Sequence, residues 1–169
     1  MILRKTQNED IDRVMEIIHM ASAYMKAAGI NQWNDGYPAR SQFLEDMERG
    51  ESYVCQLHGK VVATAALSMR AEPNYRMIYD GQWRCTGPYG VIHRIAVDDC
   101  CKGRGIAGLF VDFLEEMCIK EAFSSIRVDT HEDNRVMQHF LKKRGFCRCG
   151  IIFLPGGAAR VAFEKPLRS

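Results

Sequence analysis

A basic, glycine-rich stretch at residues 102–108 has the residue types that most clearly suggest chemistry. It reads Lys-Gly-Arg-Gly-Ile-Ala-Gly and joins a β-branched segment, 89–97, to a long amphipathic segment, 104–121. The start of a helix offers unpaired backbone N–H groups and a partial positive charge, and glycines let a phosphate reach them. Lys102 and Arg104 add full positive charges. The stretch therefore predicts a site for a phosphorylated ligand, with a diphosphate favoured.

Neither of two known nucleotide-binding motifs identifies this stretch as a nucleotide site. The Walker pattern, Gly-x-x-x-x-Gly-Lys-Ser/Thr, is absent. Gly103, Gly105 and Gly108 satisfy the dinucleotide string Gly-x-Gly-x-x-Gly, which is a weak signal by itself. A dinucleotide fold places that string after its first strand, whereas several predicted elements precede it here. A nucleotide-binding protein stays as one alternative, and a plain turn with solvated basic residues is another. The order of strand, loop and helix favours the phosphate site.

Two histidines are candidates for proton transfer near this site. His93 lies in the segment before the loop, and His131 ends the next predicted strand. Histidine titrates in the range that suits a general base. For each histidine, an imidazole bonded to the backbone for structural reasons is the alternative. Glu72 and Asp129 are further candidate bases that would act through water.

The residue after His93 bears on the kind of substrate. Side chains alternate along a strand, so His93 and Arg94 are expected on opposite faces, and only one of them would face the cleft. If Arg94 faces it, an anionic group on the substrate is expected.

The cysteines argue against a metal centre and against a disulfide framework. Seven is an odd number, and no Cys-x-x-Cys pair occurs. Cys147 and Cys149 are expected to be small packing residues rather than zinc ligands. Cys100 and Cys101 precede the loop, yet nothing around them indicates an activated thiolate. We predict no metal site, and reduced thiols as in the cytoplasm.

Composition and charge exclude several classes of protein. Of the 169 residues, 47% are hydrophobic and 26% are charged, which is typical of a globular domain and not of a disordered chain. The 23 basic and 21 acidic residues nearly cancel, which gives no electrostatic footprint for nucleic acid. No apolar run reaches the roughly 18 residues that cross a membrane, and residues 1–9 carry no secretory signal. We expect one domain over residues 1–169, in the cytoplasm, with neither nucleic acid nor membrane as partner.

Hydrophobic periodicity predicts the elements that position these residues. The predicted helices are 8–28, 42–49, 104–121 and 134–144, and the predicted strands are 2–5, 52–57, 61–69, 89–97, 125–130, 146–153 and 159–164. Thr6, with Glu9 three residues later, and Ser41 are expected to cap the first two helices. In the third helix, an apolar stripe that includes Leu109 and Phe110 is expected to face the core.

The order of these elements predicts the fold class. Strand, helix and strand alternate in the second half of the chain, which requires parallel pairing there. The hairpins require antiparallel pairing. The predicted fold is α/β, with a central mixed sheet of about seven strands and helices on both faces.

Three segments resemble the GCN5-related N-acetyltransferase (GNAT) family. The family's acetyl-CoA loop is Gln/Arg-x-x-Gly-x-Gly/Ala, and residues 102–107 match it with Lys in the first position. The strand ending in Ile-Ala-Val at 95–97 is similar to the family's fourth strand. Asn134, followed after the next helix by Gly145-Phe146, is similar to the family's Asn … Gly-Phe segment. The resemblance covers residues 89–147, and the order of the preceding elements agrees with it.

This resemblance implies an acyl-CoA N-acyltransferase fold and an acetyl-CoA-dependent N-acetyltransferase. The acetyl group would pass directly to an amine of a small molecule or a protein, with no covalent enzyme intermediate. Backbone groups of Ile95, Ala96 and Val97 would hold the pantetheine and the thioester, and Asn134 would reach the pantetheine. The diphosphate would be bound by Lys102, Gly103, Arg104, Gly105, Ile106, Ala107 and Gly108. The analogy also allows a homodimer.

The chain departs from the family at one position that bears on mechanism. Leu141 stands seven residues after Asn134, where many members have a tyrosine that protonates the leaving thiolate. A catalytically silent sensor of CoA or acetyl-CoA is therefore the alternative function. Trp33, Tyr37 and Trp83 resemble residues of a bacterial subgroup, and we expect them to line the acceptor pocket. Aromatic side chains that merely cover the core are the alternative.

Overall fold

The structure, a computed structural model, describes residues 1–34 and 36–167. Within them the chain forms seven strands and four α-helices. The strands are β1 (Ile2–Lys5), β2 (Ser52–Leu57), β3 (Lys60–Ser68), β4 (Tyr89–Val97), β5 (Ser125–Thr130), β6 (Cys147–Phe153) and β7 (Ala159–Pro166). The helices are α1 (Ile11–Ala27), α2 (Arg40–Glu48), α3 (Ile106–Lys120) and α4 (Arg135–Lys143). Every predicted element is present, with ends that differ by a few residues.

The strands form one mixed sheet in the order β1-β2-β3-β4-β5-β7-β6. β4 and β5 pair in parallel, from Tyr89 opposite Ser125 to Val91 opposite Arg127. The pairs β1–β2, β2–β3, β5–β7 and β6–β7 are antiparallel. Parallel neighbours need a crossover connection, and α3 supplies it between β4 and β5. The predicted mixed α/β sheet is confirmed.

The chain divides into two compact units. The first comprises residues 1–68 and 92–114. Its core forms where α1 and α2 pack on strand residues, because the apolar positions of α1 recur every three or four residues. The buried members of this core are Ile11, Val14, Ile17, Ile18, Phe43, Val54, Val61 and Ala96. Burial of a side chain such as Ile17, which is 0% exposed, stabilises the fold by about 1.5–3 kcal/mol.

The second unit comprises residues 69–91 and 115–169. Its core cluster contains Tyr75, Val91, Ile152 and Ala162, with Ile78, Trp83 and Tyr89 packed against it. The segment predicted as irregular, 71–88, contains only a short 3-10 turn at Pro73–Tyr75 and one bridge from Tyr79 to Ile151. This segment stays in place because its aromatic side chains are part of that core.

The cap predicted for the first helix is wrong by one residue. The Gln7 N–H donates to the Asp10 carboxylate at 2.8 Å, which closes the turn that leads into α1. The Thr6 hydroxyl instead lies 2.7 Å from that of Ser52, with both side chains buried. Thr6 directly follows β1, which is paired with β2, so a cross-strand partner takes the hydroxyl that a local pattern assigns to the helix.

Two other local predictions also need correction. α2 begins at Arg40, and the Ala39 N–H donates to the side chain of Gln42 at 2.7 Å, so Ser41 lies inside the helix and does not cap it. Leu109 is 47% exposed, although Phe110 is fully buried as expected. Leu109 lies in the first turn of α3, which follows the exposed stretch 102–105.

All seven cysteines are free thiols. Burial, with a contribution from Glu115, raises the pKa of Cys118 to about 12, as suits a packing residue.

In residues 1–34 and 36–167, no helix is long and apolar enough to cross a bilayer. The same residues contain no group of three or more His, Cys, Asp or Glu side chains that could hold a metal ion.

Candidate active site

The connection from β4 to α3 begins at a buried aspartate. The Asp98 N–H donates to the Val62 carbonyl at 2.8 Å, and the Asp98 carboxylate accepts the Cys100 N–H at 2.9 Å. The same carboxylate pairs with the guanidinium of Arg13 on α1. Asp98 is only 5% exposed, so these bonds are shielded and hold the start of the loop in one conformation.

The loop then passes through two glycines with left-handed backbone angles. Gly103 has φ +75° and Gly105 has φ +77°, which residues with a side chain rarely adopt. Apart from the glycine and its two chain neighbours, no described residue has a heavy atom within 4 Å of the position that a Cβ would take at Gly103 or Gly105. The glycines are therefore needed for the turn, and the space beside each backbone is open to a ligand.

The amino end of α3 lies directly after these glycines. The first α-helical bond runs from the Leu109 N–H to the Gly105 carbonyl at 3.1 Å. The amides of Ile106, Ala107 and Gly108 therefore have no acceptor within the helix. None of the described residues in the first turn of α3 is acidic, so no side chain there offsets the positive end of the helix dipole. This arrangement suits an anion such as a diphosphate.

The two basic residues of the loop differ in their surroundings. The Lys102 ammonium lies 2.5 Å from the Asp99 carboxylate and 4.7 Å from the centre of the Tyr24 ring. Both members of that ion pair are about half exposed, so the pair is weak and can open for a stronger anion. Arg104 is exposed. Both cations remain suitable partners for phosphate oxygens.

Arg94 interrupts the alternation expected along β4. Its φ is +50°, a left-handed value, so the simple rule that places His93 and Arg94 on opposite faces does not apply. The Arg94 guanidinium donates to Asp46 of α2 at 2.6 and 3.2 Å and to the Tyr37 hydroxyl at 3.1 Å. Burial raises the pKa of Asp46, and the Arg94 charge opposes that rise. Asp46 of the protein itself thus already pairs with Arg94, the cation that would have bound an anionic substrate group.

The other predicted aromatic residues of the first unit lie in the connection between α1 and α2. Trp33 is half-buried against the core cluster of this unit. Tyr37 is 45% exposed, with its hydroxyl bound to Arg94. Trp33 packs against this core and also lines a cavity with Ser22, Ala23, Lys26, Asn31 and Asn34, while the ring of Tyr37 is open to solvent.

Trp83, in the second unit, packs around a buried cation. The guanidinium carbon of Arg127 lies 3.9 Å from the Trp83 ring centre and 3.6 Å from the Tyr89 ring centre. Trp83 also donates its indole N–H to the Tyr75 carbonyl at 3.0 Å, and its ring stacks on that of Tyr75 at 5.7 Å. Much of the Trp83 side chain is therefore committed to contacts within the protein.

One tyrosine–aspartate pair was missed by the sequence reasoning. The fully buried Tyr75 donates its hydroxyl proton to Asp129 at 2.7 Å. Burial, together with the Asp129 charge, raises the pKa of Tyr75 well above its ordinary value, so it stays a donor. The Asp129 side chain is 14% exposed and lies 3.9 Å from Arg160. Asp129 was a candidate base, but nothing local in the sequence relates it to a residue 54 positions away.

His131 and Asn134 organise the turn between β5 and α4. The His131 Nδ1 accepts the Asp133 N–H at 3.2 Å, so the proton of the neutral imidazole is on Nε2. The Asn134 carbonyl oxygen accepts the Met137 N–H at 3.1 Å and thereby caps α4. His131 is thus arranged as a hydrogen-bond donor, and Asn134 has a structural role in the turn.

The structure distributes the predicted site residues over both units. The first unit contains Trp33, Tyr37, His93, Arg94, Ile95, Ala96, Val97 and the loop 102–108. The second contains Trp83, His131 and Asn134.

Comparison with known proteins identifies the family. Residues 15–146 match the model of the acetyltransferase (GNAT) family. A GNAT-family acetyltransferase from Streptococcus agalactiae 2603 is 33% identical, with a TM-score of 0.89, over 99% of this chain and 96% of that one. The PaiA N-acetyltransferase from Thermoplasma acidophilum, solved in complex with coenzyme A, is 16% identical, with a TM-score of 0.75, over 98% of each chain. A ribosomal-protein-alanine N-acetyltransferase from Brucella melitensis is 19% identical, with a TM-score of 0.67, over 99% and 100%.

The last two structures are similar in fold alone, since their sequence identities are low. A search among curated proteins gave no match. The family model covers most of the chain and the Streptococcus protein matches nearly all of it, so the chain belongs to the GNAT family of acetyltransferases. It is an acetyl-CoA-dependent N-acetyltransferase, as membership of this family implies.

Proposed function

We propose that residues 102–108 bind the diphosphate of acetyl-CoA and that the backbone of Ile95, Ala96 and Val97 pairs with its pantetheine. The observation that best supports this proposal is the conformation of the loop. Two left-handed glycines with open space beside them lead into a helix end without acidic residues. Phosphate oxygens would accept hydrogen bonds from the backbone N–H groups of residues 106–108, and Lys102 and Arg104 would add positive charge. Asn134 would reach the pantetheine while still capping α4.

The bound acetyl-CoA supplies an acetyl thioester, and the protein's part is to orient it and to move protons. The Ile95 N–H would donate to the thioester oxygen, where negative charge grows as the amine nitrogen attacks. The C–N bond forms as the C–S bond breaks, and the acetyl group leaves with the amine as an amide. A base must take a proton, since an alkylammonium has a pKa of about 10 and does not attack.

His93 is the base that we propose. It lies two residues before Ile95 on β4, on the strand assigned to the thioester. The other candidate, His131, has its Nδ1 occupied by the Asp133 N–H, so this nitrogen already holds a hydrogen-bond donor and is a poorer proton acceptor. Asp129 and Glu72 remain alternatives through water.

No side chain of α4 supplies the usual acid. Leu141 is 1% exposed and has no proton to donate. The leaving group is a thiolate, whose conjugate acid has a pKa of about 8.5 by analogy with cysteine, so it leaves without a dedicated acid. Water is sufficient as the final proton source.

We propose that the acceptor is a primary amine of a small molecule or a protein. Recognition of this acceptor does not require an anionic group on it. Asp46 already pairs with Arg94, so this guanidinium does not require an anionic group on the acceptor. The ring of Tyr37 is exposed and available for contact. Seven free thiols suit a reducing compartment, so we also propose the cytoplasm, and a homodimer remains part of the proposal by family analogy.

The test combines binding with turnover. Coenzyme A at about 100 times its Kd should stabilise the protein by about 2.7 kcal/mol, which raises Tm by a few degrees. Thiol release from acetyl-CoA is then followed with 1,4-diaminobutane, an aminoglycoside, an alanine-terminated peptide and a lysine peptide, and products are checked by mass spectrometry. A rise in Tm with ATP or NAD but none with coenzyme A would contradict the proposal.

The alternative that Leu141 suggested in the sequence, a silent CoA or acetyl-CoA sensor, is tested by the same assays. It predicts the same stabilisation by coenzyme A, yet no amine-dependent thiol release in any member of the panel. Turnover with any one amine excludes it.

A further inference from the structure

The backbone of β4 is strained at one residue. Arg94 has φ +50°, although it has neither the small size of glycine nor the short polar side chain of asparagine. A non-glycine residue keeps such a conformation only where its surroundings over-determine it. Something outside β4 must therefore hold Arg94 in place.

Two side chains hold it. Asp46 of α2 accepts from both Nε and Nη2 of Arg94, at 3.2 and 2.6 Å, and the Tyr37 hydroxyl accepts from Nη1 at 3.1 Å. The side chains of Arg94 and Asp46 are only 11% and 7% exposed, so solvent screens their attraction little. Phe43, three residues before Asp46, is buried in the core and anchors that turn of α2. We call Asp46, Arg94 and Tyr37 the Arg94 clamp.

The clamp acts on the residue that follows it. A peptide group is planar, so the backbone angles of Arg94 set the direction of the Ile95 N–H. We propose that Asp46, acting through Arg94, is a positioning residue that aims the Ile95 amide at the thioester oxygen of acetyl-CoA. This inference rests on the role proposed above for Ile95. It gives Arg94 a function that does not require contact with the acceptor.

A substrate-binding role for Arg94 makes a different prediction. If the guanidinium contacts the acceptor, every substitution that removes it has the same effect. If the clamp sets the backbone, glycine at position 94 should preserve function, because glycine adopts positive φ without help. Alanine should not, because it lacks both the side chain and that freedom.

The test compares Arg94→Gly, Arg94→Ala and Asp46→Asn in the full chain, using acetyl-CoA labelled with 13C at the acetyl carbonyl. In the wild type, the hydrogen bond from the Ile95 N–H should move the carbonyl stretch to lower wavenumber on binding. It should also make acetyl-CoA bind more tightly than coenzyme A, which lacks that carbonyl, by roughly tenfold. Affinity for coenzyme A is the internal control, since coenzyme A offers every proposed contact except the one to the acetyl carbonyl.

We expect Arg94→Ala and Asp46→Asn to lose the band shift and the tighter binding, while Arg94→Gly keeps most of both. Asp46→Asn leaves a buried charge and is the variant most prone to misfold, so it is also made in the Arg94→Gly background, where it should change nothing further. A wild-type band shift in Arg94→Ala and Asp46→Asn overturns the clamp, as does an equal loss in Arg94→Gly and Arg94→Ala. Absence of any carbonyl shift in the wild type would instead remove the role proposed for Ile95.

Discussion

Arg127 and Glu164 face each other across the β5–β7 ladder and form a buried ion pair. The Arg127 Nε donates to Glu164 at 2.8 Å, and the side chains are 4% and 0% exposed. Glu164 also accepts the Ser125 hydroxyl at 2.7 Å and the backbone N–H groups of Arg84 and Cys85. One carboxylate therefore joins two strands to the segment that carries Trp83.

Removal of one partner of this pair should destabilise the protein strongly. Glu164→Gln keeps the size of the side chain but leaves the Arg127 charge buried and uncompensated, at a cost of about 3–5 kcal/mol. Urea unfolding measures the change. Arg127→Met should cost a similar amount, and the double variant should cost less than the two single variants combined. Additive effects would show that the pair is not coupled.

A glutamate at position 105 should abolish coenzyme A binding. Gly105→Glu places a side chain and a negative charge where phosphate oxygens would bind, and it also strains a residue with φ +77°. We expect no rise in Tm on addition of coenzyme A. Gly156→Glu is the matched control, because Gly156 has φ +87° and is equally open but lies between β6 and β7. If Gly105→Glu binds coenzyme A like the control, the diphosphate lies elsewhere.

The turn at residues 102–108 was predictable from the sequence because its determinants are local. Strand, glycines and helix start are contiguous, and the left-handed glycines 103 and 105 need no distant residue to explain them. The element types followed from the same local logic, since the period of apolar residues reports which face is buried.

Features made by distant residues were not predictable in this way. Arg94 takes a left-handed conformation because Asp46, 48 positions away, binds it, and the alternation rule contains no such information. Thr6 failed as a cap because Ser52 takes its hydroxyl. The lone arginine in strand 125–130 was a usable signal, because a charge in a buried strand needs a partner, but its partner Glu164 depends on a register that only the fold supplies.

Asp10 should make the stability of the protein fall at acidic pH. The hydrogen bond from Arg4 lowers the pKa of Asp10, and the Gln7 N–H contributes in the same direction. A carboxyl group whose pKa is lower in the folded protein stabilises the fold at pH values above its pKa in the unfolded chain, which is about 3.9. This stability is lost as the pH falls through the pKa of the folded state. Asp10→Asn should therefore cost about 1.5–3 kcal/mol at pH 7 and much less at pH 2.5, as measured by urea unfolding. An equal cost at both pH values would contradict this origin.

His93→Ala should remove the acidic limb of the pH–rate profile. A histidine base must be neutral to accept the proton of the amine, so kcat/KM of the wild type should fall on the acid side of its pH profile. Without it we expect kcat lower by on the order of 100-fold, and a profile governed by the amine alone. The assay uses the amine of the panel that the wild type acetylates fastest.

The comparison that decides this assignment is with the other histidines. His131→Ala should keep the acidic limb, because its Nδ1 already accepts the Asp133 N–H and its other nitrogen carries the proton. His139→Ala, at an exposed position of α4, controls for loss of a histidine as such. If His93→Ala keeps the limb and His131→Ala loses it, the turn after β5 must open during catalysis to expose Nδ1. If neither variant loses the limb, the proton passes to a carboxylate, and Asp129, oriented by Tyr75, becomes the residue to replace.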